Sequence, residues 1–163
     1  MPNQLRPVPT APVLALITAF EGFEPARYQD ASGNWAIGYG HDLSGMDDPL
    51  WDVTLDEDQA RALAIEDVTK TAVGVCNTLS PMVLNALTAG QYAAILDFAY
   101  NLGVGAFAAS TLCHFIQIGN MAAVPGQFAL WTHERINGIE TIEQGLVRRR
   151  AAEVDVWNSP APA

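Results

Sequence analysis

Thr88 and Gln91 are spaced as a capping box, in which each side chain accepts a hydrogen bond from the other residue's backbone N–H and so opens a helix. Ile95, Phe98, Ala99 and Leu102 follow at i, i+3, i+4 and i+7, and Gly103 and Gly105 end the run. A helix patterned this way is largely core, so the rest of the chain must pack around it. A second box, Thr54 with Glu57, predicts a helix from Leu55 to Cys76 whose apolar stripe is Ile65, Val68, Ala72 and Val75. Ser80-Pro81 opens a short helix or turn, and Ser110 caps another that runs to Ile118. A weaker helix is expected over Gln127–Thr132, because Pro125-Gly126 interrupts it. The last runs from Gly145 to Trp157, where Leu146, Arg150, Glu153, Val154 and Trp157 share one side. Polar groups therefore project along an otherwise packed face.

The N-terminal part reads differently. Residues 1–10 are a Pro-rich lead-in, and a helix starts near Ala11 or Pro12, since proline is tolerated in a first turn. Val13, Ile17, Phe20 and Glu21 recur at helical spacing, and Gly22 stops the run. Tyr28 to Tyr39 reads as a small β-hairpin or meander turning at Ala31-Ser-Gly-Asn34. Asp42, Asp47 and Asp48 form a solvated loop rather than a calcium loop, because their spacing does not match the EF-hand pattern. One hairpin with many helices is an α+β class, the sheet segregated from the helices. A chain of 163 residues predicts one domain: the lead-in, a helix-plus-hairpin lobe over 11–54, a connecting helix over 55–76, a helical lobe over 77–158 and a loose tail over 159–163.

The net charge of −10 and the pI near 4.4 argue against nonspecific nucleic-acid binding and against docking on anionic membranes. Arg148, Arg149 and Arg150 are a local basic exception. Cys76 and Cys113 both lie in apolar stretches and read as buried free thiols. His41, His114 and His133 share no metal-ligand spacing with them, so neither a metal nor another cofactor is expected. Pro7 to Phe20 carries no charge, but 14 residues with three prolines cannot span a bilayer as a helix. Read as a signal peptide it would be cut close to Glu21; the soluble cytoplasmic reading is favoured.

Two carboxylates stand out. Glu21 closes an apolar helix face, and Asp30 follows nine residues later in a polar turn. Lost hydration favours the protonated form of a carboxyl group, whereas a polar turn lets one stay ionised. Cleaving a glycosidic bond needs both kinds. Spacing alone is weak, and a helix-end Glu beside a turn Asp is the bland reading.

The surrounding residues favour catalysis. Glu21-Gly22, Tyr28, Asp30, Gly33 and Ile37-Gly-Tyr-Gly-His41 together resemble the phage-type lysozyme family, the endolysins. The likeness extends through Leu55–Ala60 and Glu66–Val68, through Leu87–Phe107 and Ser110–Leu112, and through Gly145–Glu153. It covers roughly residues 11–157. It implies a lysozyme-like fold and an N-acetylmuramidase that hydrolyses the β-1,4 bond between N-acetylmuramic acid and N-acetylglucosamine in peptidoglycan. It puts Glu21 at the acid position and Asp30 at the second carboxylate, with inversion the usual outcome. The family's third catalytic position, six after the Asp, is normally Thr; here it is Ala36, whose methyl group cannot hold a water. Ser32 and Asn34 are nearby candidates to replace it.

The same resemblance pairs His41 with Asp67, tying the hairpin lobe to the connecting helix, and puts Arg148 or Arg149 near Glu21. It makes Tyr100 and Asn101 sugar contacts, with Ser110 a further substrate candidate that helix capping explains equally well. Trp131 is either a cleft wall or core. The functional expectation is a phage or prophage endolysin, monomeric, held in the host cytoplasm and reaching the wall by a holin or another export route. A catalytically impaired glycan-binding homologue and a secreted antibacterial effector muramidase are the alternatives. The acidic charge would hinder binding to an anionic wall most at low salt, where repulsion is least screened.

Overall fold

In the computed structural model residues 5–30, 33–136 and 138–160 are described. The central helix is α4 (Ala89–Leu102), and its capping box forms as expected: Thr88 Oγ1 accepts from Gln91 N at 3.1 Å and Gln91 Oε1 from Thr88 N at 2.9 Å. Gly90 and Tyr92 through Ala99 are all buried. Gly90 lets α4 cross the last helix closely: a Cβ there would lie 2.4 Å from the Val156 carbonyl oxygen.

Around α4 pack α1 (Thr10–Phe20), α2 (Glu57–Thr78) and α8 (Gln144–Trp157). Three short helices, α3 (Pro81–Ala86), α5 (Val104–Ala109) and α6 (Thr111–Gln117), continue the helical lobe. Cys76 and Cys113 are both buried and are not joined in a disulfide. Arg6 anchors the lead-in. Its guanidinium donates to the carbonyls of Leu84 and Leu87 and lies 4.8 Å from the Tyr92 ring centroid.

The first sheet is antiparallel, ordered β1 (Glu24–Gln29), β2 (Trp35–Gly38), β3 (His41–Asp42). It rests on α2, where Ala60 leaves room for Gly38: a Cβ added at Gly38 would stand 3.3 Å from the Ala60 Cβ. The expected turn residues Ala31 and Ser32 lie outside the described residues.

Some expected boundaries shift. The box that opens α2 is Asp56 with Gln59, not Thr54 with Glu57. Leu55 N donates to Pro25 O at 2.8 Å, and this contact with β1 keeps the chain out of the helix through Leu55. α1 stops one residue before Glu21, which is its C-cap with N–H bonded to Ile17 O at 2.8 Å. The expected helix over Gln127–Thr132 is displaced toward the N-terminus as α7 (Val124–Phe128), because Pro125 fits its first turn. A second hairpin, β4 (His133–Ile136) with β5 (Ile139–Ile142), was not expected. Asn137-Gly138, flanked by Ile136 and Ile139, is its sequence signal; Gly138 takes φ +82° and Asn137 lies outside the described residues. In the tail, Ser159 Oγ donates to Val156 O at 2.7 Å, and residues 161–163 lie outside the described residues.

Candidate active site

α1 and the first sheet deliver Glu21 to a cleft between the sheet lobe and the helical lobe. A cavity of about 540 Å³ is lined by Glu21, by Gly40, His41 and Asp42 of the sheet lobe, by Asp67, Lys70 and Thr71 of α2, and by Tyr100 and Asn101 of α4. A second cavity, about 320 Å³, also borders Glu21 and Asn101 and is closed by Phe20, Glu143, Leu146, Arg148 and Arg149. Open space therefore extends on two sides of Glu21.

Glu21 does not find the apolar surroundings its helix pattern suggested. Its Oε1 accepts from Arg149 Nη1 at 2.6 Å, and its side chain is 27% exposed. Arg149 is itself held by Asp97, which is fully buried on α4 and accepts from Nε and Nη2, both at 2.9 Å. Burial opposes the Arg149 charge, but the Asp97 and Glu21 carboxylates outweigh it and hold the guanidinium well above its ordinary value. Asp97 balances the Arg149 charge independently of Glu21. Of the two candidate arginines, Arg149 takes the place beside Glu21. Arg148 stays exposed on the rim of the smaller cavity.

Asp30 closes the turn between β1 and β2. Its carboxylate accepts from Asn34 N at 2.9 Å and from Asn34 Nδ2 at 3.3 Å. Asn34 is thus engaged with Asp30 itself, and Ser32, the other candidate to replace the missing hydroxyl, lies outside the described residues. Ala36 is 2% exposed and pairs across the sheet with Tyr28 on one side and Asp42 on the other. Burial and then the charges of Glu21, Glu24, Asp30 and Asp42 push the Tyr28 phenol up. Tyr28 thus lies within electrostatic reach of both carboxylates, beside Ala36.

Tyr100 donates from Oη to Tyr39 O at 2.9 Å, fixing α4 to the glycine turn of the sheet lobe. Burial, with Asp67 and Glu21 adding to it, holds this phenol well above its ordinary value, so it stays a donor. Asn101 accepts at Oδ1 from Arg150 Nη2 at 2.8 Å. His41 Nδ1 lies 2.6 Å from Asp67 Oδ2, and Lys70 Nζ donates to Asp67 Oδ1 at 2.9 Å, so β3 is pinned to α2. His41→Ala is expected to cost about 1–2 kcal/mol, read as a lowered urea midpoint with unchanged m-value; an unchanged midpoint would remove the tie.

Neither of the two cavities at Glu21 is lined by Asp30, Ser110 or Trp131. Ser110 is 6% exposed, donates to Phe107 O at 2.6 Å and accepts from Cys113 N at 3.0 Å, so its hydroxyl caps α6 instead of meeting a substrate. Trp131 stands edge-on to Phe98 with ring centroids 5.5 Å apart and packs against the core. Asp48 closes its loop by accepting from Ser44 N and Leu50 N. Among the described residues no group of three His, Cys, Asp or Glu is placed to hold a metal ion, and no helix is long and apolar enough to cross a membrane. Sequence reasoning missed Asp97. Its signal was a lone carboxylate between Leu96 and Phe98 in the buried central helix.

The phage lysozyme family model matches residues 18–153, which include Glu21, Asp30, Ala36, His41, Asp67, Asn101 and Arg149. The chain belongs to the phage lysozyme family. An endolysin of Acyrthosiphon pisum secondary endosymbiont phage 1 is 33% identical over 90% of this chain and 94% of the relative. An endolysin of Bacillus phage PZA is 34% identical over 90% of this chain, which spans 54% of that longer relative. Among solved structures, the muramidase domain of SpmX from Asticaccaulis excentricus superposes with TM-score 0.79 at 27% identity, covering 97% of this chain and 99% of the domain. The endolysin of Escherichia coli O157:H7 phage FAHEc1 gives 0.78 at 26% identity, covering 98% and 97%. The fold is lysozyme-like, α+β, and membership in the phage lysozyme family makes the chain a glycosidase of the peptidoglycan-hydrolysing class.

Proposed function

We propose that the protein is an N-acetylmuramidase in which Glu21 is the general acid and Asp30 the second carboxylate. The observation that carries this reading is the shared guanidinium: Arg149 contacts Glu21 at the cleft and is already balanced by buried Asp97. Glu21 protonates the glycosidic oxygen of the β-1,4 bond after N-acetylmuramic acid, and the bond to the anomeric carbon breaks. Asp30, hydrogen-bonded by Asn34, stabilises the positive charge that develops on the sugar and favours water attack from the opposite face, as in an inverting enzyme. Tyr100 and Asn101 hold the glycan. All of these groups come from one chain, which supports action as a monomer. The endolysin relatives support a phage or prophage protein that waits in the host cytoplasm and reaches the wall through a holin or another route.

Ala36 bears on rate. A threonine at this buried strand position would bring a hydroxyl between Tyr28 and Asp42 and suits β structure. Ala36→Thr is expected to raise the rate roughly tenfold, the worth of one hydrogen bond of about 1–1.5 kcal/mol to the attacking water. Reducing-end release from purified peptidoglycan measures it. Equal rates would mean that Ala36 is not a missing catalytic part. No release by either protein, with retention on the wall, would mark a glycan-binding homologue.

A further inference from the structure

Arg150 faces the core, not the cleft. It is 1% exposed, stacks over Phe98 at 5.0 Å and lies 2.9 Å from Glu153, which is fully buried. Burial, with Asp97 adding to it against the pull of Arg150, pushes the Glu153 carboxyl up. Arg150 Nε and Nη1 find no hydrogen-bond partner. The one hydrogen bond this buried guanidinium makes among the described residues runs from Nη2 to Asn101 Oδ1, at 2.8 Å.

That bond fixes a direction. A guanidinium has only donors, so the Asn101 amide must turn its oxygen inward. Its Nδ2 is left for the two cavities that Asn101 borders, and it can only donate. We propose that Arg150 is a positioning residue that locks the Asn101 amide as a donor toward the cleft, so that the cleft selects sugars carrying an acetamido carbonyl. The inference rests on the peptidoglycan reading and deepens it. Arg149 and Arg150, adjacent on α8, then each orient one cleft side chain: the first holds Glu21 and the second Asn101.

The test compares chitotetraose with cellotetraose by titration calorimetry on the full chain. Both are neutral β-1,4 tetramers, and they differ in the acetamido group. Wild type is expected to favour chitotetraose. Asn101→Asp keeps an oxygen for Arg150 and should fold at least as well, but it has no N–H to offer. Its preference should fall roughly tenfold, the worth of one hydrogen bond. The added negative charge acts on both neutral sugars alike. Arg150→Gln frees the amide to turn and should erode the preference similarly; if it fails to fold, Asn101→Asp decides alone. Equal binding of the two tetramers by wild type, or an undiminished preference in Asn101→Asp, would overturn the positioning role and leave the peptidoglycan reading standing. A wild-type protein that binds neither tetramer and releases no reducing ends from walls would bring down both.

Discussion

Asp97→Ala is expected to destabilise the fold by about 3–5 kcal/mol, because it leaves the Arg149 charge buried without its main partner. Asp97 is fully buried, and both of its oxygens accept from the same guanidinium. Removing it also leaves Glu21 as the nearest counter-charge to Arg149, 2.6 Å away. The Glu21–Arg149 contact would then stand alone, and, with Glu21 the proposed acid, turnover should fall beyond what lost stability explains. Asp97→Asn keeps one acceptor and should lie between wild type and Asp97→Ala. Guanidinium unfolding, with rates measured well below each midpoint, separates the two effects. A stability change within about 1 kcal/mol for Asp97→Ala would mean that the buried pair is not what braces the site.

Glu21→Gln is expected to reduce glycan cleavage by about 10²–10⁴-fold, the usual worth of a general acid. The fold should survive. A glutamine oxygen still accepts from Arg149 Nη1, Arg149 stays balanced by Asp97, and the side chain is partly solvated. Melting temperature should therefore change little while activity collapses. Retained activity would reassign the acid. Loss of both activity and fold would make Glu21 a structural residue.

What could be read from the sequence was local. The box at Thr88 and Gln91 opens α4 because its partners lie three residues apart and nothing distant competes. At α2 a second candidate box lay two residues further on, and the Leu55–Pro25 bond decided between them across 30 residues. The β4–β5 hairpin was missed because the residues of β5 are all exposed, so no alternation of apolar and polar residues marks it. Glu21 and Asp30 were marked as candidates by their neighbours in sequence. Their supports were not: Arg149 lies 128 residues from Glu21 and 52 from Asp97. A run of three arginines could not say which would face Glu21, which the core and which the solvent. Helix phase decides that, and Arg149 and Arg150 are buried while Arg148 is exposed. Ser110 misled because one hydroxyl suits a helix cap and a sugar contact equally, and burial settled it as a cap.

The central claim is a carboxyl-catalysed cut after N-acetylmuramic acid. Mass analysis of fragments from purified peptidoglycan, digested by wild type beside Glu21→Gln, tests it most directly. The account predicts hydrated N-acetylmuramic acid at every new reducing end with wild type and almost none with Glu21→Gln. New ends on N-acetylglucosamine, 1,6-anhydro ends, or equal cleavage by the two proteins would contradict it.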